Sequence, residues 1–183
     1  MADEGASPRE LVLEAARRNN TDLLQEIFTE IHKSYSSTAE DRIAELLNTA
    51  VDGIGSNVLH VAAINGSYEV LDALLDQAGV ETDPLDRLER DTPLHSAVRY
   101  VNSLSAADWP HGHPIVEILI DAGCDPRSRN KAKLRPFDLV DPRNSELRGL
   151  LQKAEFQMMA GGDVVNEDEE EEEGGAGSAS DEG

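Results

Sequence analysis

Apolar residues in this chain come in short blocks at three- and four-residue steps, separated by polar or glycine-bearing stretches, the pattern of amphipathic helices. Leu13-Glu14-Ala15-Ala16 opens the first block, and Leu23-Leu24 with Ile27-Phe28 continues it at helical spacing. Thr38-Ala39-Glu40-Asp41, followed by Ile43, Leu46 and Leu47, predicts a further helix near residues 38–50, opened by a capping residue and acids. Ala73-Leu74-Leu75 and Ile118-Leu119-Ile120 each end an apolar helix, with Gly79 and Gly123 beyond them, where a left-handed cap belongs. Asn144-Ser145-Glu146-Leu147 starts another, with Leu147, Leu150 and Leu151 on one stripe.

Two of these blocks are copies. Asn57-Val58-Leu59-His60-Val61-Ala62 and Thr92-Pro93-Leu94-His95-Ser96-Ala97 share a Leu-His-x-Ala core. The second core stands one repeat length after the first, as in solenoids of stacked helical units. Residues 92–95 carry Thr-Pro-Leu-His, and Leu59-His60-Val61-Ala62-Ala63 with Asn65-Gly66 carries the rest of the same pattern. Ile118 to Pro126 reads as the end of one unit and the start of its outward loop. On these motifs the chain resembles the ankyrin-repeat family.

That resemblance implies an all-α solenoid of about four helix-turn-helix repeats with β-turn fingers, over residues 9–157. The repeats are expected at roughly 9–33, 53–86, 87–129 and 130–157, with the extra helix near 38–50. The terminal ones are atypical because one face meets water. In the first, Asn20 stands where glycine usually sits; in the last, Arg135-Pro136-Phe137-Asp138 replaces the motif. The third is stretched by an insertion at 101–113, expected as a loop between its helices. Residues 1–8 are expected to be flexible and 158–183 to form a disordered acidic tail.

The repeat residues have structural duties. Thr92 caps a helix and Pro93 fits its first turn, where no backbone donor is lost. Leu59 and Leu94 pack between repeats, while Ala62, Ala63 and Ala97 are small enough for helices to approach; Gly66 and Gly123 belong to turns. The resemblance implies that His60 and His95 bond to nearby backbone and hydroxyl groups rather than shuttle protons. Aromatic residues are only 4% of the chain, so the core must be built from Leu, Ile, Val and Ala.

Charge changes the functional picture. The chain of 183 residues carries a formal net charge of -21. Ten acids and no Lys or Arg lie between Gly161 and Gly183, with an unbroken run from Glu167 to Glu173 that includes Glu169, Glu170 and Glu171. Such a field repels nucleic acid and anionic membranes and attracts a basic protein. No apolar run is long enough to span a bilayer, and Met1 to Arg9 shows no signal-peptide pattern. Cys124 is the single cysteine, which excludes an internal disulfide. A reducing compartment is expected, cytoplasmic or nuclear, and the chain is expected to be a monomer.

No nucleophile–base pair, phosphate loop or metal-binding motif stands out. His111-Gly112-His113 lacks a third ligand at suitable spacing, so no enzyme activity, metal or cofactor is expected. Binding is expected at the concave face, where Asp52, Asp86, Glu89 and Asp91 give the middle fingers an acidic tendency and Tyr100 adds an aromatic. Trp109 in the insertion either tucks against the helices or stands exposed as a binding anchor. Arg127, Arg129, Lys131, Lys133 and Arg135 alternate with other residues, so an extended finger would point all five to one side. That row either grips an acidic segment, docks the chain's own tail, or is simply solvated.

The acidic tail is either a solubiliser or a polyanion that neutralises a basic client. A small four-repeat chain with such a tail resembles the ankyrin-repeat chaperones that escort a small-subunit ribosomal protein. The resemblance implies a chaperone for a basic client, ribosomal or histone-like; the alternative is an adaptor that binds a signalling or transcription protein through its concave face.

Overall fold

A computed structural model describes residues 5–161. Its helices are α1 (Pro8–Arg18), α2 (Thr21–Tyr35), α3 (Ala39–Thr49), α4 (Val58–Ile64), α5 (Tyr68–Leu75), α6 (Pro93–Asn102), α7 (Trp109–Asp121), α8 (Pro136–Leu139) and α9 (residues 145–161). No strand occurs among the described residues; one isolated antiparallel bridge joins Val51 to Asn57.

The helices stack in two layers. α1, α4, α6 and α8 lie side by side in that order, and α2, α5 and α7 form the row behind them. α9 borders α7, and α3 packs beside α1 and α2. Between the layers Val12, Leu24, Leu59, Leu71, Leu74, Leu94, Leu119, Leu147 and Leu151 are buried in one continuous core. Each such side chain contributes about 1.5–3 kcal/mol on removal from water.

Local signals fix where the helices begin. Ser7 accepts the Glu10 amide at 3.2 Å and Pro8 occupies the first turn, so α1 starts within the segment expected to be flexible. Asn57 and Thr92 cap α4 and α6, with His60 and His95 completing the reciprocal bond. Asn144 caps α9 through its side-chain oxygen, which accepts the Leu147 amide at 3.1 Å.

Several boundaries differ from the sequence reading. The Asn20 amide donates to Ala15 O as the Ser67 amide donates to Ala62 O. The glycine-like position of the first pair is therefore Asn19, at φ 54°, matching Gly66 at φ 67°. By the same correspondence Leu13 stands where the second pair has His60.

The 101–113 insertion is only partly a loop: residues 103–108 form a turn and a 3-10 segment, while the rest lengthens both helices of its pair, α6 to 10 residues and α7 to 13, against 7 and 8 in α4 and α5. Gly112 permits this, since a Cβ there would lie 2.9 Å from Leu104 Cδ1 and 3.1 Å from Val101 Cγ2. At the other end α9 continues through residue 161, past the boundary expected at 158. Glu169, Glu170 and Glu171 lie outside the described residues.

Candidate functional site

Three connections, at residues 51–57, 86–92 and 130–135, turn outward in the same manner. Each is held by one side-chain oxygen accepting two amides. Asp52 Oδ1 takes Ile54 N at 3.1 Å and Ser56 N at 2.9 Å. Asp86 Oδ1 takes Glu89 N and Asp91 N, both at 3.0 Å. Asn130 Oδ1 takes Ala132 N and Leu134 N, both at 3.0 Å. Asp52 and Asp86, read from sequence as partner-facing acids, thus shape their turns.

Neighbouring fingers are stitched together. Arg87 N donates to Gly55 O at 3.2 Å and Lys131 N to Glu89 O at 2.7 Å. The histidines add a second tie. His60 Nδ1 accepts the Asn57 amide at 3.2 Å and its Nε2 donates to Asp91 O at 2.7 Å. In His95, Nδ1 accepts the Thr92 amide at 3.0 Å and Nε2 donates to Leu134 O at 2.8 Å. These partners require the neutral tautomer protonated on Nε2. Burial pushes both imidazoles below their ordinary range, against the pull of the accepting carbonyls. With both nitrogens engaged, neither ring is placed for proton transfer.

Asp91 is not a surface acid. It is 3% exposed, accepts Arg99 Nε at 2.7 Å and Asn130 Nδ2 at 2.9 Å, and cannot meet a partner directly. Burial pushes its carboxyl up, but the Arg99 and Asn130 bonds outweigh this and hold it below the usual carboxylate range. Tyr100 is half-buried, its ring lying over Gly66, where a Cβ would come within 2.3 Å of it.

Trp109 is 8% exposed, opening α7 against the core with the Arg143 guanidinium 5.6 Å above its ring. It is a packing residue, not an exposed anchor, because the lengthened α7 carries it inward. The basic row fails for a geometric reason: residues 127–135 form turns, with Lys133 at φ 70°, so the two-residue period is lost. Arg127 is chelated by Asp125 at 3.0 and 3.1 Å, and Arg135 bonds Asp138 and Glu155, both at 2.9 Å. Arg129 donates to Lys133 O at 2.8 Å. Lys131 and Lys133 are exposed.

A groove of about 360 Å³ lies open between the first two fingers and α4 and α6. Ile54 and Leu88, 55% and 53% exposed, project from the finger tips, and Ile64 on α4 lines the same space. Three carboxylates (Asp52, Asp86 and Glu89) and two guanidiniums (Arg17 and Arg99) surround them, with Glu89 exposed and Asp91 buried in its bond to Arg99. The arrangement offers a polypeptide segment apolar contacts within a polar rim; among the described residues no cluster of three or more metal-binding side chains occurs. Sequence reasoning placed residues 53–58 and 88–92 on the binding face but singled out the acids there rather than Ile54 and Leu88, and it passed over Ile64. The available signal was an isolated apolar residue inside a polar loop, as in Gly53-Ile54-Gly55 and Arg87-Leu88-Glu89.

The sequence matches the family profile described as "Ankyrin repeats (3 copies)" over residues 12–130. It is 43% identical over 157 residues to "Ankyrin repeat-containing protein YGL242C" of Saccharomyces cerevisiae, an alignment covering 85% of this chain and 82% of that protein.

Proposed function

Because the chain belongs to the ankyrin-repeat family, whose stacked repeats serve protein–protein interaction, we propose that it is a non-enzymatic escort that seats a segment of a basic protein in the groove between its first two fingers. The observation that carries this reading is the pair Ile54 and Leu88. They are two large apolar side chains held in solvent at the tips of rigid turns, with carboxylates around them. Exposed apolar groups in a polar rim are the anatomy of a recognition surface. The net charge of -21 supports a basic partner, since the field accelerates its encounter and disfavours acidic competitors. A ribosomal protein or a histone is the client class with that chemistry.

An adaptor role for a signalling or transcription protein is favoured by one observation: every residue lining the groove lies between Arg17 and Arg99, remote in sequence from the acidic tail. Calorimetric titration with purified small-subunit ribosomal proteins, core histones and acidic control proteins separates the two. The escort binds a basic protein in a salt-sensitive manner, and Ile54→Ser/Leu88→Ser abolishes it. Equal affinity for an acidic control, insensitive to salt, would overturn the escort reading in favour of the adaptor.

A further inference from the structure

The groove beside α4 is sorted by charge across its width. Its finger wall carries carboxylates, Asp52 on the first connection and Asp86 and Glu89 on the second. Asp52 and Asp86 hold their turns through Oδ1 alone, which leaves Oδ2 of each to a ligand. Its helix wall carries guanidiniums, Arg17 in the last turn of α1 and Arg99 on α6. Asp91 accepts from Nε and Nη2 of Arg99, fixing the guanidinium plane and leaving Nη1. Arg17 meets Glu14 only at 3.5 Å. Arg87, on the second connection, does not line the groove and reaches Gly53 O at 3.0 Å instead. Ile54 and Leu88 from the fingers and Ile64 from α4 supply the apolar contacts.

We propose that the groove selects an amphipathic helix with three sectors: an apolar stripe on Ile54, Ile64 and Leu88, Lys or Arg on the flank facing the fingers, and Asp or Glu on the flank facing Arg17 and Arg99. This selectivity rests on the client segment being seated in the groove, and adds to it an acidic flank that a basic client need not have. A strand offers only two side-chain faces, whereas a helix turns by about 100° per residue and can present three. The overall negative field favours Lys and Arg anywhere on the ligand, but Arg17 and Arg99 favour a carboxylate on one side only. The order of the three sectors around the helix also fixes the direction in which its chain runs.

Selection of displayed random peptides, long enough for several helical turns, on the full chain tests this. Selected sequences should place apolar residues at three- and four-residue steps, with Lys or Arg on one side of the stripe and Asp or Glu on the other. Selection on Arg17→Glu, an exposed position, should replace acids by Lys or Arg. Fluorescence anisotropy then measures one selected peptide. Changing its acids to Gln should weaken binding to the full chain roughly threefold or more, as for two partly exposed ion pairs. Changing them to Lys should weaken it further, and Arg17→Glu should restore part of that loss. Arg99→Lys, which keeps a cation beside Asp91, should weaken the selected peptide more than its Gln form. An unchanged melting curve verifies the fold of each variant.

Selected peptides with apolar and basic residues but no acids overturn the proposal and leave the basic client seated in the groove. Retention of the same acids on Arg17→Glu overturns it as well, and so does an alternating pattern of period two, which assigns the groove to a strand. Self-association of the full chain that disappears in Ile54→Ser/Leu88→Ser overturns it by assigning the groove to a second copy. Selected peptides that bind Ile54→Ser/Leu88→Ser as tightly as the full chain remove the groove itself, and both readings fall together.

Discussion

His60 reaches forward 31 positions to the carbonyl oxygen of Asp91 at 2.7 Å, joining the first helix of one pair to the base of the following finger. His95 repeats the bond to Leu134 at 2.8 Å. Burial holds both rings neutral by lowering their pKa from the ordinary 6.5. The unfolded chain therefore takes up these protons first as pH falls, and their stabilising effect is complete only above about 6.5. Urea denaturation between about pH 7.5 and 5 should show stability declining below 6.5, down to the folded-state values. His60→Gln/His95→Gln should flatten that decline while lowering stability at neutral pH.

Gly66 and Tyr100 make a sharper steric test. A Cβ at residue 66 meets a left-handed backbone, at a cost of about 1–2 kcal/mol, and the Tyr100 ring, at a further cost of about 1–3 kcal/mol. Gly66→Ala should destabilise the fold by the sum. In a Tyr100→Ala background only the backbone part should remain, a difference that a double-mutant cycle reads directly.

Trp109 is the single tryptophan, so fluorescence isolates it. Its burial predicts blue-shifted native emission and weak acrylamide quenching, with a red shift and easy quenching on unfolding. Trp109→Ala should cost about 3–5 kcal/mol of stability through the cavity it leaves. Exposed-type emission from the native protein would refute this placement.

Cys124 donates its thiol to Thr82 O at 3.1 Å and is fully buried, and burial, with the nearby Asp83 carboxylate, pushes the thiol far up from its ordinary range. A thiol reagent such as Ellman's should label the native chain at least roughly a hundredfold more slowly than the unfolded one. Labelling speed then tracks opening of the seam between α7 and the 82–83 segment.

Legibility differed between the core and the site for a physical reason. Leu59, Leu94, Ala62 and Ala97 obey a spacing that packing imposes, so the helix pairs can be read from their periodicity. The Asn19 and Asn20 assignment went astray because either amide side chain tolerates the left-handed turn, and only the bond to Ala15 O distinguishes them. Surface charge was the least readable property. Asp91, Arg127 and Arg135 look free in sequence, yet each is matched to a partner that the turn geometry supplies, at 39 residues in the case of Asp91 and Asn130. Trp109 could be read from sequence either as packed or as exposed, because an insertion can lengthen helices as readily as a loop, and the sequence spacing is the same in both cases.

The imidazole bonds all run one way. Leu13 stands in the first pair where His60 stands in the second, and Asp138 takes the corresponding place in the last, binding Arg135 of its own turn through both amide and guanidinium. On the ribosome His60 emerges 31 residues before its acceptor, and His95 39 residues before its own. Each pair is thus made with one donor still idle, awaiting a carbonyl not yet synthesised. The match for His60 becomes possible once Asp91 has left the exit tunnel, and that for His95 only once Leu134 has followed.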